Sequence, residues 1–328
     1  MATIKQVARL ADVSVATVSR VLNGVRVTEA NRVAVMAAVT ELDYRPNVFA
    51  RSLATNRSGT VGVVVNEIAS PFYGGIVQGI ESVVERYGMH LIVSSSHADS
   101  ERERVAIEFL RDQRCEALVL VAEALTDSEL LTLAQHEIPL VIVGRYVDAL
   151  AAQCIYLDNT LGGYLATRYL LDRGHRRIAH ITANLSIKDA RDRADGYRSA
   201  LAEAGVPADE SLIVAGDSTE TGGQRSMRQL LDAGHELSAV FAGNDQTAAG
   251  ALLVMRERGV LVPDDVSLVG YDDVHLANYL YPALTTVRQP FREMGRAAAR
   301  LALPERSEGE VTMRFEPELV ERSSVRMR

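Results

Sequence analysis

Apolar residues follow a helical spacing at the start of the 328-residue chain and a different rhythm after it. In the first stretch they recur three and four positions apart, which is typical of amphipathic helices. These positions are Val7, Ala8, Ala11, Val18, Val21 and Leu22. From Thr60 onward, short apolar runs alternate with amphipathic stretches, the pattern of βα units. We therefore predict an α-helical head on an α/β body whose sheets are mainly parallel and covered on both faces.

Capping residues divide the head into short helices. Thr3 and Gln6 have the spacing of a capping box at the start of a first helix. Ser14 can cap a second helix, which should stop at Asn23-Gly24. This stretch therefore predicts two helices joined by a tight turn, a helix-turn-helix.

The second helix turns a small, hydroxyl-bearing face outward, with one guanidinium. Its outward residues are Val15, Ala16, Thr17, Ser19 and Arg20. Such a face fits the major groove of DNA, because hydroxyl groups donate to phosphates, arginine reaches guanine or phosphate, and small apolar side chains touch thymine methyl groups. An amphipathic hairpin packed on a larger body is the alternative for the helix pair alone.

A third helix completes the head in this interpretation. Thr28 can cap it, and it should run to about Leu42. We expect Val33, Ala37 and Val39 to close a three-helix core.

The body has enough strands for two sheets. Some ten apolar runs follow Thr60, more than one doubly wound sheet needs, and they divide near Asp158 into two similar halves. Two doubly wound parallel-sheet lobes with a cleft between them are therefore predicted.

The charge is unevenly distributed along the chain. The whole chain carries −8, but residues 1–58 carry +4 and the remainder −12. A basic head on an acidic body directs DNA to one end of the molecule and discourages nonspecific wrapping.

Sequence motifs argue against an enzyme. None of the 23 glycines is followed by another two positions later, no Gly-Lys pair occurs, and Gly-x-Ser-x-Gly is absent. The histidines form no zinc-hydrolase pair, and Cys115 and Cys154 lack metal-ligand spacing. We therefore expect no catalysis, no cofactor and no metal. Without a leader or a long apolar run, we also expect a cytoplasmic protein with no membrane partner.

The loops after the predicted strands carry candidate ligand-binding residues. Ligands of open α/β sheets sit at the carboxyl ends of strands. Guanidinium, amide and carboxylate groups there can pair with adjacent sugar hydroxyls. The candidates are Phe72, Tyr73, Arg145, Arg193, Asn244 and Asp272, with Phe291 as a weaker one. Alternatives stay open: Asn244 and Asp272 could be caps, Arg145 could form an inter-lobe ion pair, and Phe72 and Tyr73 could be core residues.

The chain resembles the lactose-repressor family of bacterial transcription regulators. The resemblance rests on residues 3–23 and 44–53 in the head and extends over nearly the whole chain. Motifs that carry it in the body are Gly174–Ile178, Gly270–Val274, Ala283–Val287 and Val320–Val325. It is similar above all to the galactose-repressor branch, at Val15-Ala16, Arg114-Cys115, Cys154-Ile155 and Ser186–Ala190.

The resemblance implies a dimer on palindromic operator DNA. Residues 1–45 would form the DNA-binding domain and residues 46–58 a hinge that becomes helical when two copies meet on DNA. Leu53 would then be an apolar wedge in the minor groove. DNA contacts are expected from Thr3, Ser14, Val15, Ala16, Thr17, Ser19, Arg20, Asn23, Arg26, Tyr44, Ala50, Arg51 and Leu53.

For residues 59–328, the resemblance implies the periplasmic-binding-protein architecture. The chain would cross three times between lobe one (59–157 and 290–317) and lobe two (158–289 and 318–328). Arg193, Asn244 and Asp272 would bind the effector. Galactose or a related hexose is the leading effector. A purine is disfavoured because Ser218, not an aromatic residue, follows Gly216-Asp217. No room for a tetramerising tail remains after Val325, so a dimer is expected.

A second class of function stays open at this point. A cytoplasmic sugar sensor or sugar-binding module could use the head to dock a protein instead of DNA.

Overall fold

The protein is described by a computed structural model that covers residues 2–22, 25–44, 58–121, 124–303 and 311–328. The chain divides into two compact units, Met1–Gly59 and Thr60–Arg328. No described helix is long and apolar enough to cross a bilayer.

The first unit consists of three helices with the predicted caps. They are α1 (Ile4–Leu10), α2 (Val15–Leu22) and α3 (Glu29–Glu41). Thr3 and Gln6 form the reciprocal capping box. The hydroxyl of Ser14 accepts the Thr17 amide at 3.1 Å, and Thr28 caps α3 through Asn31. The predicted stop of α2 at Asn23-Gly24 lies outside the described residues.

The core of this unit corrects the prediction for α3. Val35 and Ala38 are buried against α1 and α2, together with Val7, Ala8 and Val18. Val33 and Ala37 are exposed, and only Val39 of the predicted trio packs against the core. Positions 35, 38, 39 and 42 share one helix face, whereas 33 and 37 lie on another.

Each lobe of the second unit is built on a six-stranded sheet. Lobe one has the order β11-β5-β4-β3-β1-β2 and is parallel throughout. Its strands are β1 (Thr60–Val65), β2 (His90–Ser95), β3 (Ala117–Val121), β4 (Leu140–Val143), β5 (Cys154–Leu157) and β11 (Arg314–Phe315). Its helices are α4 (Pro71–Val84), α5 (Ser100–Asp112), α6 (Asp127–Ala134) and α11 (Phe291–Ala302).

Lobe two repeats this plan in the order β12-β10-β9-β8-β6-β7. Its strands are β6 (Ile178–Thr182), β7 (Ile213–Ala215), β8 (Ala239–Ala242), β9 (Ser267–Asp272), β10 (Thr285–Arg288) and β12 (Glu318–Val320). Its helices are α7 (Asn159–Asp172), α8 (Lys188–Glu203), α9 (Glu220–Asp232) and α10 (Asp245–Glu257). Only β12 runs antiparallel among these described strands. Neither β12 nor the short helix α6 was predicted, because each is brief and carries little apolar periodicity.

Three connections join the lobes. The first passes through Asp158 between β5 and α7, and the second through Gln289-Pro290 between β10 and α11. The third is Glu316-Pro317, between β11 of lobe one and β12 of lobe two. As a result, α11 packs on α4 in lobe one although it follows the strands of lobe two in sequence.

Glycines let helices of one lobe pack closely. A Cβ atom on Gly79 of α4 would overlap the main-chain oxygen of Arg292 on α11, and one on Gly295 would overlap that of Ile76. Gly74, five residues earlier on α4 and on another face of the helix, faces open space. The α4–α11 contact therefore requires glycine at position 79 but not at position 74.

Replacing Gly79 with alanine should lower the free energy of unfolding by about 1–3 kcal/mol, because the main chain of α11 has to move. Gly74→Ala is the matched control and should be neutral or stabilising by about 0.5–1 kcal/mol, since alanine favours the helix. Urea unfolding followed by circular dichroism measures both. Equal midpoints for the two variants would contradict this account of the packing.

Candidate functional site: an inter-lobe cleft and a basic helical head

A cleft of about 570 Å³ opens between the two lobes. It lies where the strands of both sheets end, the position expected for ligands of open α/β sheets. Five of the seven predicted ligand-binding residues line it. They are Phe72 and Tyr73 from lobe one and Arg193, Asn244 and Asp272 from lobe two.

Arg193 is held in the cleft by three groups of lobe two. Its Nε donates to Asn159 Oδ1 at 2.8 Å, and its Nη1 donates to the carbonyl of Gly243 at 2.7 Å. Its Cζ lies 3.9 Å from the centre of the Tyr271 ring, which adds a cation–π contact. The guanidinium plane is therefore fixed before any ligand arrives, which lowers the entropic cost of binding.

Asp272 is a buried carboxyl group at the end of β9. Its side chain accepts a hydrogen bond from Gln289 Nε2 at 2.6 Å, and its residue is only 6% exposed. Burial raises the pKa of Asp272 to about 6, against the opposing effects of the Arg193 charge and the Gln289 hydrogen bond. The backbone has a φ of +108°, a region that side chains rarely adopt. Such strain is often found at binding sites.

Asn244 has two structural partners in addition to its place in the cleft. Its Oδ1 accepts the amide of Thr247 at 2.9 Å and so caps α10. Its Nδ2 donates to the carbonyl of Ser218 at 2.9 Å. The capping alternative and the cleft position therefore both hold for this residue, because an N-terminal cap of a helix after β8 faces the strand ends.

Phe72 and Tyr73 form an aromatic wall on lobe one. Their rings meet edge to face with centroids 5.1 Å apart, and Tyr73 Oη accepts a hydrogen bond from Asn66 Nδ2 at 2.9 Å. Phe291 packs behind this wall, 6.3 Å from Phe72, and lines a separate groove of about 330 Å³. The ring of Phe291 therefore lies behind the cleft lining, because α11 brings it to α4, where Gly75 leaves room for it.

Arg145 also lies outside the cleft. Its Nη1 donates to the carbonyl of Leu125 at 2.6 Å, and it forms an ion pair with Asp127. Both partners belong to lobe one, so the ion pair of Arg145 lies within that lobe and does not join the two lobes. The partners of Arg145 lie in the loop before α6 and at the start of that helix. Because the sequence pattern did not predict α6, it could not predict these contacts.

Several lining residues were not among the candidates. Asn66 follows β1 directly, Asp189 lies in the first turn of α8, and Gln289 lies on the second connection. The position of Asn66 after an apolar run was an available signal. Gln289 had none, because only the pairing of β9 with β10 brings it to Asp272.

The charge of the cleft disfavours anionic ligands. Arg193 is the only lysine or arginine among its described lining residues, and His97 is the only histidine. The acidic lining residues are Glu67, Asp189, Asp217, Glu220 and Asp272. Burial also raises the pKa of Asp189. Within the described part of the chain, no group of three or more His, Cys, Asp or Glu side chains is placed to hold a metal ion.

The three-helix unit presents an unpaired basic surface. Val15, Ala16 and Arg20 are exposed on α2, whereas Thr17 and Ser19 are half-buried. Thr17 Oγ1 lies 2.9 Å from the Ser14 hydroxyl. Among the described cations of this unit, Arg32 pairs with Glu29, and no ion pair involves Lys5, Arg9, Arg20 or Arg26. Unpaired cations are available to phosphate groups.

The remaining DNA candidates have mixed positions. Thr3 is exposed and caps α1, and Arg26 is exposed after α2. Tyr44 packs partly against the helical core. Asn23, Ala50, Arg51 and Leu53 lie outside the described residues.

The chain is similar to known proteins over its whole length. A family model described as bacterial regulatory proteins, lacI family, matches residues 3–47. A second, described as periplasmic binding proteins and sugar binding domain of LacI family, matches residues 58–314. The HTH-type transcriptional regulator GalR of Escherichia coli (strain K12) is 44% identical over 329 residues, which cover 99% of this chain and 96% of that protein.

Solved structures agree with this similarity. The lac repressor dimer bound to operator and the anti-inducer ONPF superimposes with a TM-score of 0.86 at 29% identity, covering 99% of both chains. The complex of the transcriptional regulator CelR with cellobiose has a TM-score of 0.72 at 36% identity, covering 99% of this chain and all of that one. The chain therefore belongs to the lactose-repressor (LacI) family of transcription regulators, in its galactose-repressor branch, and is not an enzyme.

Proposed function

We propose that this regulator is a cytoplasmic, dimeric repressor of sugar-utilisation genes, released from its operator by a small neutral sugar. One observation supports this proposal most: the cleft combines an aromatic wall with three planar polar side chains that the protein itself holds in place. Sugars need this combination, because a pyranose has an apolar face and a rim of adjacent hydroxyl groups.

Arg193 and Asp272 would form complementary hydrogen bonds with the sugar. The guanidinium donates to hydroxyl oxygens, while the ionised carboxylate accepts from hydroxyl groups. Asn244 contributes an amide beside them, and the edge of the Phe72–Tyr73 wall supports the apolar face of the ring.

Galactose is the leading effector. The chain belongs to the galactose-repressor branch, with GalR 44% identical over the full length, and CelR, at 36%, was solved with cellobiose. The acidic lining of the cleft opposes sugar phosphates and sugar acids, since one arginine faces five acidic residues. Binding measurements with galactose, glucose, cellobiose and galactose 1-phosphate separate these classes.

The head would dock by the geometry of helix-turn-helix proteins. We assign residues 1–45 to DNA binding, with α2 in the major groove of each half-site of a palindrome. In a dimer the half-sites lie about 34 Å apart, one helical turn of DNA. By family resemblance, residues 46–58 would be the hinge and Leu53 the minor-groove wedge.

Sugar and operator would compete through the angle between the lobes. A ligand shifts such an equilibrium only by the difference of its affinities for the two states, typically about 1–3 kcal/mol. A sugar that favours the closed cleft would turn the lobes that carry the two hinges and so weaken operator binding.

Arg20→Ala should lower affinity for the operator roughly ten- to hundredfold and reduce discrimination against unrelated DNA, because a base-reading arginine is worth about 1–3 kcal/mol. Arg32→Ala is the matched control: Arg32 is already paired with Glu29, and its loss should change affinity about twofold. Fluorescence anisotropy with the chain's own upstream DNA, over a range of salt concentrations, measures both. Equal losses for the two variants, or binding that ignores salt, would favour a protein-docking head.

Asp272→Asn should weaken galactose binding roughly 10- to 150-fold, since a hydrogen bond to a charged group contributes about 1.5–3 kcal/mol. Asp264→Asn makes the same change on the surface of lobe two, where Asp264 pairs with Arg326, and should leave sugar affinity unchanged. Isothermal titration calorimetry gives both dissociation constants. Wild-type affinity in the Asp272 variant would remove this carboxylate from the effector site.

Sugar affinity should also fall in acid. Because burial raises the pKa of Asp272 to about 6, its carboxylate is protonated as the pH falls through 6; it loses its charge, and one of its oxygens becomes a donor, so it accepts sugar hydroxyl groups less well. The affinity should be constant from pH 7 to 8 and fall by up to about tenfold per unit below pH 6. Calorimetry in the Asp272→Asn variant provides the control, in which the part of the acid limb that Asp272 contributes should be absent, while Asp189, whose pKa burial also raises to about 6, still titrates. A flat wild-type profile down to pH 5 would contradict the assignment.

A further inference from the structure

Two ion pairs, one exposed and one partly exposed, flank the third connection between the lobes. On one side, Arg314 of β11 pairs with Asp158 of the first connection at 2.6 Å. On the other side, Glu318 of β12 pairs with Arg288, the last residue of β10, at 3.1 Å. Arg288 also pairs with Asp273 at 2.8 Å. The three connections are therefore tied to one another by side chains.

The residue that follows each of these anchors is hydrogen-bonded to a side chain that lines the cleft. Asn159 follows Asp158, and its Oδ1 accepts hydrogen bonds from Arg193 at 2.8 Å and from the Tyr271 hydroxyl at 3.2 Å. Gln289 follows Arg288 and donates to Asp272 at 2.6 Å. Each adjacent pair thus joins an effector-binding side chain to the third connection.

Resting on the proposed function, we propose that Asn159 positions Arg193 and that Gln289 positions Asp272. When a bound sugar displaces these residues, the adjacent ion pairs Asp158–Arg314 and Arg288–Glu318 transmit the displacement to the third connection. Sugar binding and the change of lobe angle are therefore linked at Asp158-Asn159 and at Arg288-Gln289. Operator release then depends on the ion pairs, whereas sugar affinity depends on the two amides.

Asn159 is suited to a positioning role because it does not line the cleft. It is 2% exposed, at the first position of α7, and one oxygen of its amide serves both partners. At Gly162, one turn later, a Cβ atom would overlap the Tyr271 hydroxyl, so only glycine fits at this position. The packing of α7 on β9 therefore fixes the ring under Arg193 as well as the amide beside it.

The parallel arrangement at Asp272 follows from the pairing of β9 with β10. Arg288 and Asp272 are register partners, so the next residues of both strands extend past the sheet together. Asp272 meets Gln289, while Asp273 turns away to Arg288 and Arg322. A shift of the Asp272 carboxylate toward a bound sugar would therefore displace Gln289 through its hydrogen bond and Arg288 through the neighbouring Asp273.

The ion pairs are tested by charge reversal. Arg314→Asp and Glu318→Arg, one for each ion pair, should each leave galactose affinity and sugar-free operator affinity within about twofold of wild type. Each should reduce the sugar-induced change in operator affinity about two- to fivefold, the range of exposed ion pairs. Asp158 itself is left unchanged, because its Oδ1 also accepts the Leu161 amide at 2.9 Å and so caps α7. Arg228→Glu breaks the similarly exposed Arg228–Glu257 pair within lobe two and should leave the response unchanged.

The positioning role is tested separately. Asn159→Ala and Gln289→Ala should each weaken galactose binding about tenfold, and the folded fraction is checked by thermal unfolding. Gln289→Ala should also move the acid limb of sugar binding to higher pH, since this hydrogen bond lowers the pKa of Asp272. The other charged groups that act on Asp272 are Arg193 and Asp189 of α8, and Asp272 in turn acts on Asp245 of α10; none of these is changed by the substitution.

The outcomes separate this inference from the proposed function. If wild-type protein does not bind sugar or operator, the proposed function fails. If wild-type protein responds to galactose but the charge-reversal variants respond equally, the ion pairs do not carry the coupling and the inference is overturned. An acid limb that stays in place in Gln289→Ala, or sugar affinity that is unchanged in Asn159→Ala, overturns the positioning role.

Discussion

The structure around the cleft depends on a carboxylate that is buried between two strands. Asp272 can remain at the end of β9 only because Gln289 donates to it and Arg193 lies near it. An unpaired buried charge would cost several kcal/mol, so these partners must stay close. They come from α8 and from the second connection. The same requirement that stabilises the carboxylate therefore holds together the elements that surround a ligand.

The two ends of the chain differ in how their charges are used. In the described part of the head, Lys5, Arg9, Arg20 and Arg26 make no ion pair, which leaves them available to phosphate groups. In the body most described arginines are paired with carboxylates or bonded to carbonyl groups, as Arg145 and Arg314 are. The unpaired cations of the first unit suit DNA binding. The second unit is acidic and its arginines already have partners, which suits a neutral ligand.

The order of the chain through the lobes explains why the connections lie beside the cleft. Because α11 and β11 return to lobe one and β12 returns to lobe two, three segments must pass close to the strand ends where the cleft opens. Residues on these segments, such as Asn159 and Gln289, are therefore neighbours of Arg193 and Asp272.

The sequence alone determined what depends on neighbours along the chain. Apolar runs placed most strands, capping residues such as Thr3 and Thr28 placed the helix starts, and strand-end loops supplied Arg193, Asn244 and Asp272. Tertiary structure decided what depends on segments far apart: the buried face of α3, the antiparallel β12, and the removal of Arg145 and Phe291 from the cleft. Local patterns report hydrogen bonding and periodicity within one element, whereas a side chain's partner is set by which distant element packs beside it.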